Sequence, residues 1–522
     1  MNIKEIRRNI DTTDRKIADL LKKRMDLSKE VAEYKVKNNM AVNDSMREQE
    51  ILKNLYDYIG KPCNDYVNSI FESIIEASKA YQYNLIKDFK EAQNKPAEPI
   101  KYGLIGKSLS HSYSKLIHEK FGYNYKLLPL NEAEFAEFLT AKNFKGLNIT
   151  IPYKKTAMKY CDEISDIARE IGAINTVCFE DDKMVGTNTD YRGFLYMCKK
   201  TDIDFAGKKV LILGSGGACA TVIKAAADMN SEKIFVASRQ GTFHHPYVTT
   251  VKYDNLPKDA DILINTTPLG TYPHIDETPV NLMKFSNLCG VLDLVYNPLK
   301  TNLLLQAENL GIKNGGGLSM LVAQAIESEK FFSGFYKDMD DTVNIFNRKN
   351  LIDETIVEFR RDIQNIVLIG MPSSGKTSIG RKISKKTKRK FMDTDAIIRD
   401  RYKKTPGEII LTQGEDYFRK IEVETISELA KEHSLVISTG GGAVLRKENI
   451  SRLKQNSHIY FVDRKPALLT NKGRPLSKGK DKIKQLYNER IEIYRSAADT
   501  IIENNEDLES AVSKIFNAHF GK

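Results

Sequence analysis

The chain is 522 residues long, 41% apolar and 29% charged, a soluble globular profile that predicts three or four domains at roughly 100–200 residues each. No apolar run approaches the ~18 residues of a membrane helix. The charged start MNIKEIRRNI predicts no secretory signal, and six cysteines without a C-x-x-C pair predict neither a disulfide framework nor a zinc ribbon, so a cytoplasmic location is expected. The net charge of +11 concentrates in residues 363–522, which hold 31 Lys+Arg against 20 Asp+Glu. Without interleaved aromatics, this excess suits an anionic small substrate at least as well as a nucleic acid.

Residues 1–88 contain almost no Gly or Pro. Ile3, Ile6, Ile10, Ile17, Leu20, Leu27 and Val31 recur at helical spacing and predict a first helix of about 35 residues. Asn43-Asp44 marks a break and a cap, a second helix runs to Gly60-Lys61-Pro62, and a third covers about 64–88. Three such helices bury their apolar stripe poorly alone, which predicts a homodimer. Arg24 and Lys35, three turns apart, return to one face. Arg7 lies about 25 Å before Arg24 along the axis, too far to serve the same pocket within one subunit. A coiled coil or adaptor fits the same pattern. The residues resemble the all-helical class of chorismate mutase, whose dimer shares its sites. That resemblance implies Arg7 (from a second copy) and Arg24 as carboxylate clamps, and Lys35 and Gln82 at the ether oxygen. It also implies Glu48 at the ring hydroxyl, with Asp44, Arg47 and Ser78 lining the site.

KEAQNKPAEP, 90–99, reads as a polar linker. From 101 to about 335, short apolar runs alternate with helical patterns and Gly-rich turns, the signature of βαβ units. KKVLILGSGGACATVIKAAADM, 208–229, reads as strand, phosphate-binding turn and helix, with Gly214, Ser215, Gly216, Gly217 and Ala218 in the turn. Cys219 stands where this fingerprint has Gly or Ala. After the next strand, Ser238-Arg239 replaces the acidic residue of an NAD site and suits the 2′-phosphate of NADP. SLSHSYS (108–114), GLNITIPYK (146–154) and GTNTD (186–190) read as site segments, and a Lys154–Asp190 pair could exchange a proton with a hydroxyl while a hydride leaves its carbon. The set resembles shikimate dehydrogenase across 101–335, joined by GAINT, NTTPLG, DLVYNPLKT and GLSMLVAQ; Lys115 replaces the usual proline after H-S-x-S. The resemblance implies Lys154 and Asp190 as the catalytic pair. It places Ser112, Ser114, Thr150, Asn175, Tyr296 and Gln324 at the substrate and Thr266 at the cofactor. The implied reaction is NADPH-dependent reduction of 3-dehydroshikimate, with quinate dehydrogenase as the close alternative.

A charged helix-compatible segment, 336–362, leads to strand IVLIG and Gly370-Met371-Pro372-Ser373-Ser374-Gly375-Lys376-Thr377, which fits G-x-x-x-x-G-K-[ST] between a strand and a helix. Its backbone N–H groups and Lys376 would cradle phosphates, with Ser378 following and the Thr377 hydroxyl on Mg2+. Asp393 and Asp395 end the next apolar run, and Arg419, Arg474 and Arg490 are candidate anion clamps, Arg holding carboxylate bidentately. Over 363–522 these motifs resemble shikimate kinase. The resemblance implies Asp395 at the substrate hydroxyl, Asp393 at the metal, and Arg474 on a lid. Arg419, Glu422, Arg490 and the turn Gly440-Gly441-Gly442 would hold the substrate. Gluconate-type kinases lack this set of arginines.

The expected architecture is therefore multidomain. An all-α unit (1–89) and a linker (90–100) precede a two-lobed Rossmann-type α/β unit (101–335), its substrate lobe about 101–200 plus C-terminal helices and its NADP lobe about 205–310. A helical linker (336–362) then leads to an α/β P-loop unit (363–522). The expected activities are chorismate mutase, shikimate dehydrogenase and shikimate kinase, using NADP(H), ATP and Mg2+ on small-molecule substrates, with no nucleic-acid or membrane partner. The alternative is a bifunctional dehydrogenase–kinase whose N-terminus serves only dimerisation or regulation.

Overall fold

The computed structural model describes residues 2–37, 45–59, 64–94, 100–109, 112–239, 241, 243, 245–333, 348–469 and 480–521. It divides into two compact units, Met1–Pro99 and Ile100–Lys522. Asp44 and Arg474, both expected at sites, lie outside the described residues.

The first unit holds helices Ile3–Lys37, Ser45–Ile59 and Asn64–Asn94. The first spans 35 residues, as its apolar period predicts. The third continues to Asn94, past the expected end near residue 88, because IKDFKEAQN contains no Gly or Pro to stop it. Ser28, Ala32, Ile75, Ser78 and Gln82 are buried. The stripe that predicts the first helix is not: Ile10 is 53% and Leu20 67% exposed, and Ile3, Ile6, Ile17, Leu27 and Val31 are exposed with them.

The second unit is built on three six-, six- and five-stranded sheets. The first is mixed, in the order Tyr125–Pro129, Tyr102–Gly106, Gly146–Ile149, Thr176–Glu180, Lys183–Thr187, Glu163–Ile164. The second is all parallel, in the order Lys313–Gly316, Gly290–Asp293, Ile262–Asn265, Lys209–Leu213, Lys233–Ala237, Val248–Val251. The third is also parallel, in the order Lys390–Asp393, Leu435–Ser438, Asn365–Ile369, Ser457–Asp463, Thr500–Glu503. Runs such as KVLIL, ILIN and NIVLI are continuously apolar because helices cover both faces of these sheets. In the two parallel sheets strand order reverses beside Lys209–Leu213 and beside Asn365–Ile369, opening a crevice at each carboxyl end.

Helix Leu318–Phe332 is buried on nearly every side and packs against helix Thr189–Lys200. Gly193 permits this approach, since a Cβ there would lie 2.7 Å from the Met320 carbonyl oxygen. The segment expected as linker, 336–362, contains helix Lys349–Ile363; residues 334–347 lie outside the described residues. That helix presents Ile352, Ile356, Phe359 and Ile363 at helical spacing and buries them with Tyr113, Ile117, Tyr196, Leu318, Val322 and Ile326 in one core. Ion pairs Lys120–Asp362 (2.6 Å) and Lys200–Asp353 flank it. A second junction joins the same two parts: Lys300 N donates to Gln455 O (2.9 Å), Gln455 Nε2 to Ile275 O (2.8 Å) and Leu299 N to Asn456 Oδ1 (2.9 Å).

Removing the Phe359 ring from this core is expected to cost about 3–5 kcal/mol, whereas Val357→Ala, on the exposed side of the same helix, is expected to stay within about 0.5 kcal/mol. Urea unfolding followed by circular dichroism separates the two. Equal midpoints would show that the shared core contributes nothing to stability.

Candidate active sites

Between the mixed sheet and the second sheet lies a cavity of about 370 Å3, lined by Ser112, Ser114, Thr150, Lys154, Asn175, Asp190, Tyr296 and Gln324. Every substrate-side residue expected for the two-lobed unit is therefore gathered in one place. Thr150 and Lys154 come from the turn after strand Gly146–Ile149, and Asp190 from the first turn of helix Thr189–Lys200, whose N-cap Asn188 accepts from Tyr191 N at 3.3 Å. Lys154 Nζ and Asp190 Oδ2 form an ion pair, both side chains mostly buried. Ser112 Oγ donates to Ser114 Oγ at 3.2 Å. Burial raises the Tyr296 phenol above its usual range.

Beside the cavity runs a buried polar network of which sequence reasoning marked Asn175 but not Asn148, Thr176 or Ser328. Asn175 Oδ1 accepts from Thr189 N (2.7 Å), and Asn175 Nδ2 donates to Thr189 Oγ1 (3.0 Å). Asn148 Nδ2 donates to Thr176 Oγ1 (3.0 Å) and Ser328 Oγ (2.8 Å). The available signal was Asn148 itself, a polar residue between Leu147 and Ile149 in a strand buried throughout. Asp293 plays a similar part. It accepts from Asn265 Nδ2, Val295 N and Thr301 Oγ1, and desolvation pushes its carboxyl up to about 6.

A second cavity, about 490 Å3, lies at the carboxyl end of Lys209–Leu213, lined by Gly214, Ser215, Gly216, Ser238, Arg239 and Thr266, together with Tyr253. Gly214 has φ +97° and a Cβ there would lie 2.8 Å from Thr267 Cγ2, so this position needs glycine. Gly217 is not among the lining residues, and Ala218 lines the first cavity instead. The departure at Cys219 has a packing explanation. It starts helix Cys219–Asp228 fully buried in the core with Ile212 and Val222, and burial pushes its thiol up to about 12.

In the third sheet the turn after Asn365–Ile369 has positive φ at Gly370 (146°), Ser373 (66°) and Gly375 (98°) before helix Lys376–Thr387. Successive N–H groups at a helix N-terminus form an anion cradle. Lys376 Nζ donates to Gly370 O and Met371 O, both at 2.8 Å, and Ser374 Oγ is buried without a hydrogen-bond partner among the described residues. Thr377 Oγ1 donates to Asp393 Oδ2 at 2.9 Å, putting two hard oxygens side by side, while Ser378 is exposed in the same turn. Among the described residues no group of three or more His, Cys, Asp or Glu could hold a metal. Two protein oxygens suit Mg2+, which keeps waters and phosphate oxygens as its remaining ligands.

Beside this cradle Arg419 donates from Nη1 to Glu422 Oε2 and from Nη2 to Glu415 Oε1, both at 2.8 Å. The triple glycine lets backbone reach these groups. A Cβ at Gly440 would lie 2.8 Å from Asp395 Oδ1 and 3.0 Å from Glu422 Oε1, one at Gly441 would lie 2.7 Å from Pro372 Cδ, and one at Gly442 would overlap the Arg419 guanidinium. Arg490 Nη1 donates to Gly441 O at 3.4 Å, and Tyr494, not singled out from sequence, donates its hydroxyl there too. Burial holds the Glu422 carboxyl above its usual range against the opposing pull of Arg419.

In the first unit Arg24 hydrogen-bonds Ser78 and, at 3.4 Å, Ile74 O. Gln82 is buried one turn on with Oε1 unpartnered among the described residues, and Lys35 is half-buried on the same helix as Arg24. Burial lowers the Arg24 guanidinium. Glu48 pairs at 3.1 Å with Lys79, which sequence reasoning missed although it sits between Ser78 and Gln82. Arg47 pairs with Glu50 on the surface (2.5 Å), and Arg7 is exposed about 25 Å from Arg24 along the same helix, so it does not join Arg24 within one chain.

Family models match in three stretches: chorismate mutase type II over residues 6–83, the shikimate dehydrogenase substrate-binding domain over 104–177, and shikimate kinase over 372–519. A shikimate dehydrogenase (NADP(+)) of Clostridium beijerinckii is 38% identical over 260 residues, covering 47% of this chain and 96% of that protein. One of Methanosphaera stadtmanae is 35% identical over 258 residues, covering 44% and 90%. A crystal structure of a chorismate mutase/shikimate 5-dehydrogenase fusion protein from Clostridium acetobutylicum is 36% identical, with a TM-score of 0.44, and covers 50% of this chain and 97% of that one.

Arg419→Met is expected to leave Glu422 buried without a counter-charge, costing about 3–5 kcal/mol at neutral pH. The folded pKa of Glu422, already raised, rises further, so the folded state binds the extra proton and the variant loses stability as pH climbs above the ordinary carboxylate range. Urea midpoints from that range upward test this. A midpoint deficit that does not grow with pH would contradict it.

Proposed function

The chain belongs to the shikimate dehydrogenase family and carries chorismate mutase type II and shikimate kinase domains on the same polypeptide, three enzymatic activities in one chain, and from that premise we propose which of its residues do the work. It acts on small molecules of the shikimate pathway, using NADP and a nucleotide. Among the described residues no helix is long and apolar enough to cross a membrane. A cytoplasmic setting, where NADPH and ATP are supplied, goes with this reading.

The observation that carries the dehydrogenase assignment is the Lys154–Asp190 ion pair in a cavity that borders the nucleotide turn through Ala218. Gly214–Gly216, Ser238, Arg239 and Thr266 would hold NADPH, which would supply the hydride. Lys154 gives its proton to the carbonyl oxygen of 3-dehydroshikimate, and Asp190, paired with it, orients the ammonium. Ser112, Ser114, Thr150, Asn175, Tyr296 and Gln324 hold the substrate's polar groups. In the kinase, the 370–378 cradle and Lys376 would hold the ATP phosphates. Mg2+, when bound through Thr377 and Asp393, offsets phosphate charge. Asp395 takes the proton of the attacking shikimate hydroxyl, while Arg419, Arg490 and the glycine turn hold the carboxylate and Glu422 fixes Arg419. Arg474, outside the described residues, keeps the role the resemblance implies, neutralising the transferring phosphoryl group.

For the mutase, Arg24 of one copy and Arg7 of another clamp the two chorismate carboxylates. Lys35 and Gln82 stabilise the charge developing on the ether oxygen, and Glu48 accepts from the ring hydroxyl. This requires a homodimer through the first helix. The exposed apolar stripe from Ile3 to Val31 supports that assembly, being a patch that a lone subunit leaves in water. The dehydrogenase product is the kinase substrate, so those two reactions are consecutive, whereas chorismate arises only after further steps.

Lys154→Ala is expected to lower dehydrogenase kcat by about 10²–10⁴ while phosphorylation of supplied shikimate and conversion of chorismate stay within about twofold. Unchanged dehydrogenase turnover would remove Lys154 from the chemistry. Charging the stripe with Ile10→Asp and Ile17→Asp is expected to halve the mass in sedimentation and to abolish chorismate conversion with dehydrogenase rates intact. A monomeric wild type, or a fully active charged variant, would contradict the shared site.

A further inference from the structure

Ser112 and Ser114 line the dehydrogenase cavity, but Tyr113 between them does not; it is 7% exposed and lies in the core shared with helix Lys349–Ile363. Its ring centroid is 5.4 Å from that of Phe359, in helix Lys349–Ile363, and 5.7 Å from the imidazole of His433, in the kinase part of the chain. His433 Nε2 lies 2.8 Å from Tyr113 Oη and 3.1 Å from Asn297 Oδ1. Asn297 follows Tyr296, another lining residue, whose ring is 5.4 Å from that of Tyr113. One imidazole thus ties together the two segments, 112–114 and 296–297, that carry three of the cavity's hydroxyls.

Both of those hydrogen-bond contacts cross to the dehydrogenase. His433 Nδ1 is buried without a partner among the described residues. The residue stands two positions before strand Leu435–Ser438, at the opposite end of that strand from the Gly440–Gly442 turn. Burial lowers its pKa to about 4, so at neutral pH the contact is made by an uncharged ring.

We propose that His433, supplied by the kinase part of the chain, is a positioning residue for the dehydrogenase: by holding Tyr113 and Asn297 from behind, it sets the Ser112, Ser114 and Tyr296 hydroxyls for substrate binding. This rests on the assignment of that cavity to the dehydrogenase reaction. Hydroxyls held in place before the substrate arrives lose less freedom on binding, so the effect falls on affinity rather than on the Lys154–Asp190 proton transfer.

The test uses the full-length chain and steady-state kinetics. His433→Ala is expected to raise the dehydrogenase KM for shikimate roughly five- to tenfold, the size of one lost hydrogen-bond contact. The kcat, the KM for NADP+ and kinase kcat/KM stay within about twofold. His433→Gln, which can return an N–H near the Nε2 position, recovers most of the loss, and Tyr113→Phe, which keeps the ring, shifts KM the same way by less. Circular dichroism and urea midpoints confirm that each variant is folded. A KM within twofold in folded His433→Ala overturns the proposal, as does a parallel fall in dehydrogenase and kinase rates or no recovery by Gln. A wild-type chain without dehydrogenase turnover would instead defeat the underlying site assignment.

Discussion

The apolar face of helix Lys349–Ile363 has to be buried, and where it is buried determines much of the second unit. Ile352, Ile356, Phe359 and Ile363 close onto Leu318, Val322 and Ile326 of helix Leu318–Phe332. The first of these helices runs through Gln364 into strand Asn365–Ile369, from which the phosphate cradle springs. The second carries Gln324 and Ser328 into the wall of the dehydrogenase cavity and its supporting network. A single packed interface therefore sets the starting strand of one catalytic site and the back wall of another. Close-packed interiors have discrete arrangements, so such an interface holds its parts in register in a way a flexible tether cannot.

The three sites solve one problem, holding small carboxylated substrates, with different amounts of backbone and side chain. The two α/β sites use turns at the carboxyl ends of parallel strands, where N–H groups converge and glycine lets backbone approach the ligand. Their charged side chains are matched in advance, Lys154 with Asp190 and Arg419 with Glu422. A buried charge without a partner would be costly, and a paired one stays fixed until the substrate arrives. The described part of the helical unit has no such turn. There one chain assembles Arg24 with Ser78 but leaves Arg7 apart.

Legibility from sequence followed the same division. Where chemistry constrains backbone, the residues announce themselves: Gly370, Gly375 and Gly214 occupy positive φ, and Gly440–Gly442 touch Asp395, Glu422 and Arg419. Periodicity gave the 35-residue helix. What escaped depends on contacts between distant parts of the chain. The spacing of Ile352, Ile356, Phe359 and Ile363 was visible, but a helical stripe does not name its partner, and the Lys349–Ile363 part of a segment expected as a helical linker packs into a core. Asn148, Thr176 and Ser328 are ordinary polar residues until the fold brings them together beside one cavity, 180 residues apart in the case of Asn148 and Ser328. Lys79 was hidden for the same reason, since its partner Glu48 sits on another helix.

The most direct test of the account is a single reaction containing the full-length chain, 3-dehydroshikimate, NADPH, ATP, Mg2+ and chorismate, with products followed by mass spectrometry. The account predicts that shikimate 3-phosphate and prephenate both accumulate, with NADPH consumed in step with the former. Shikimate that builds up unphosphorylated, or chorismate that persists beside an active dehydrogenase, would contradict the claim that all three sites are catalysts.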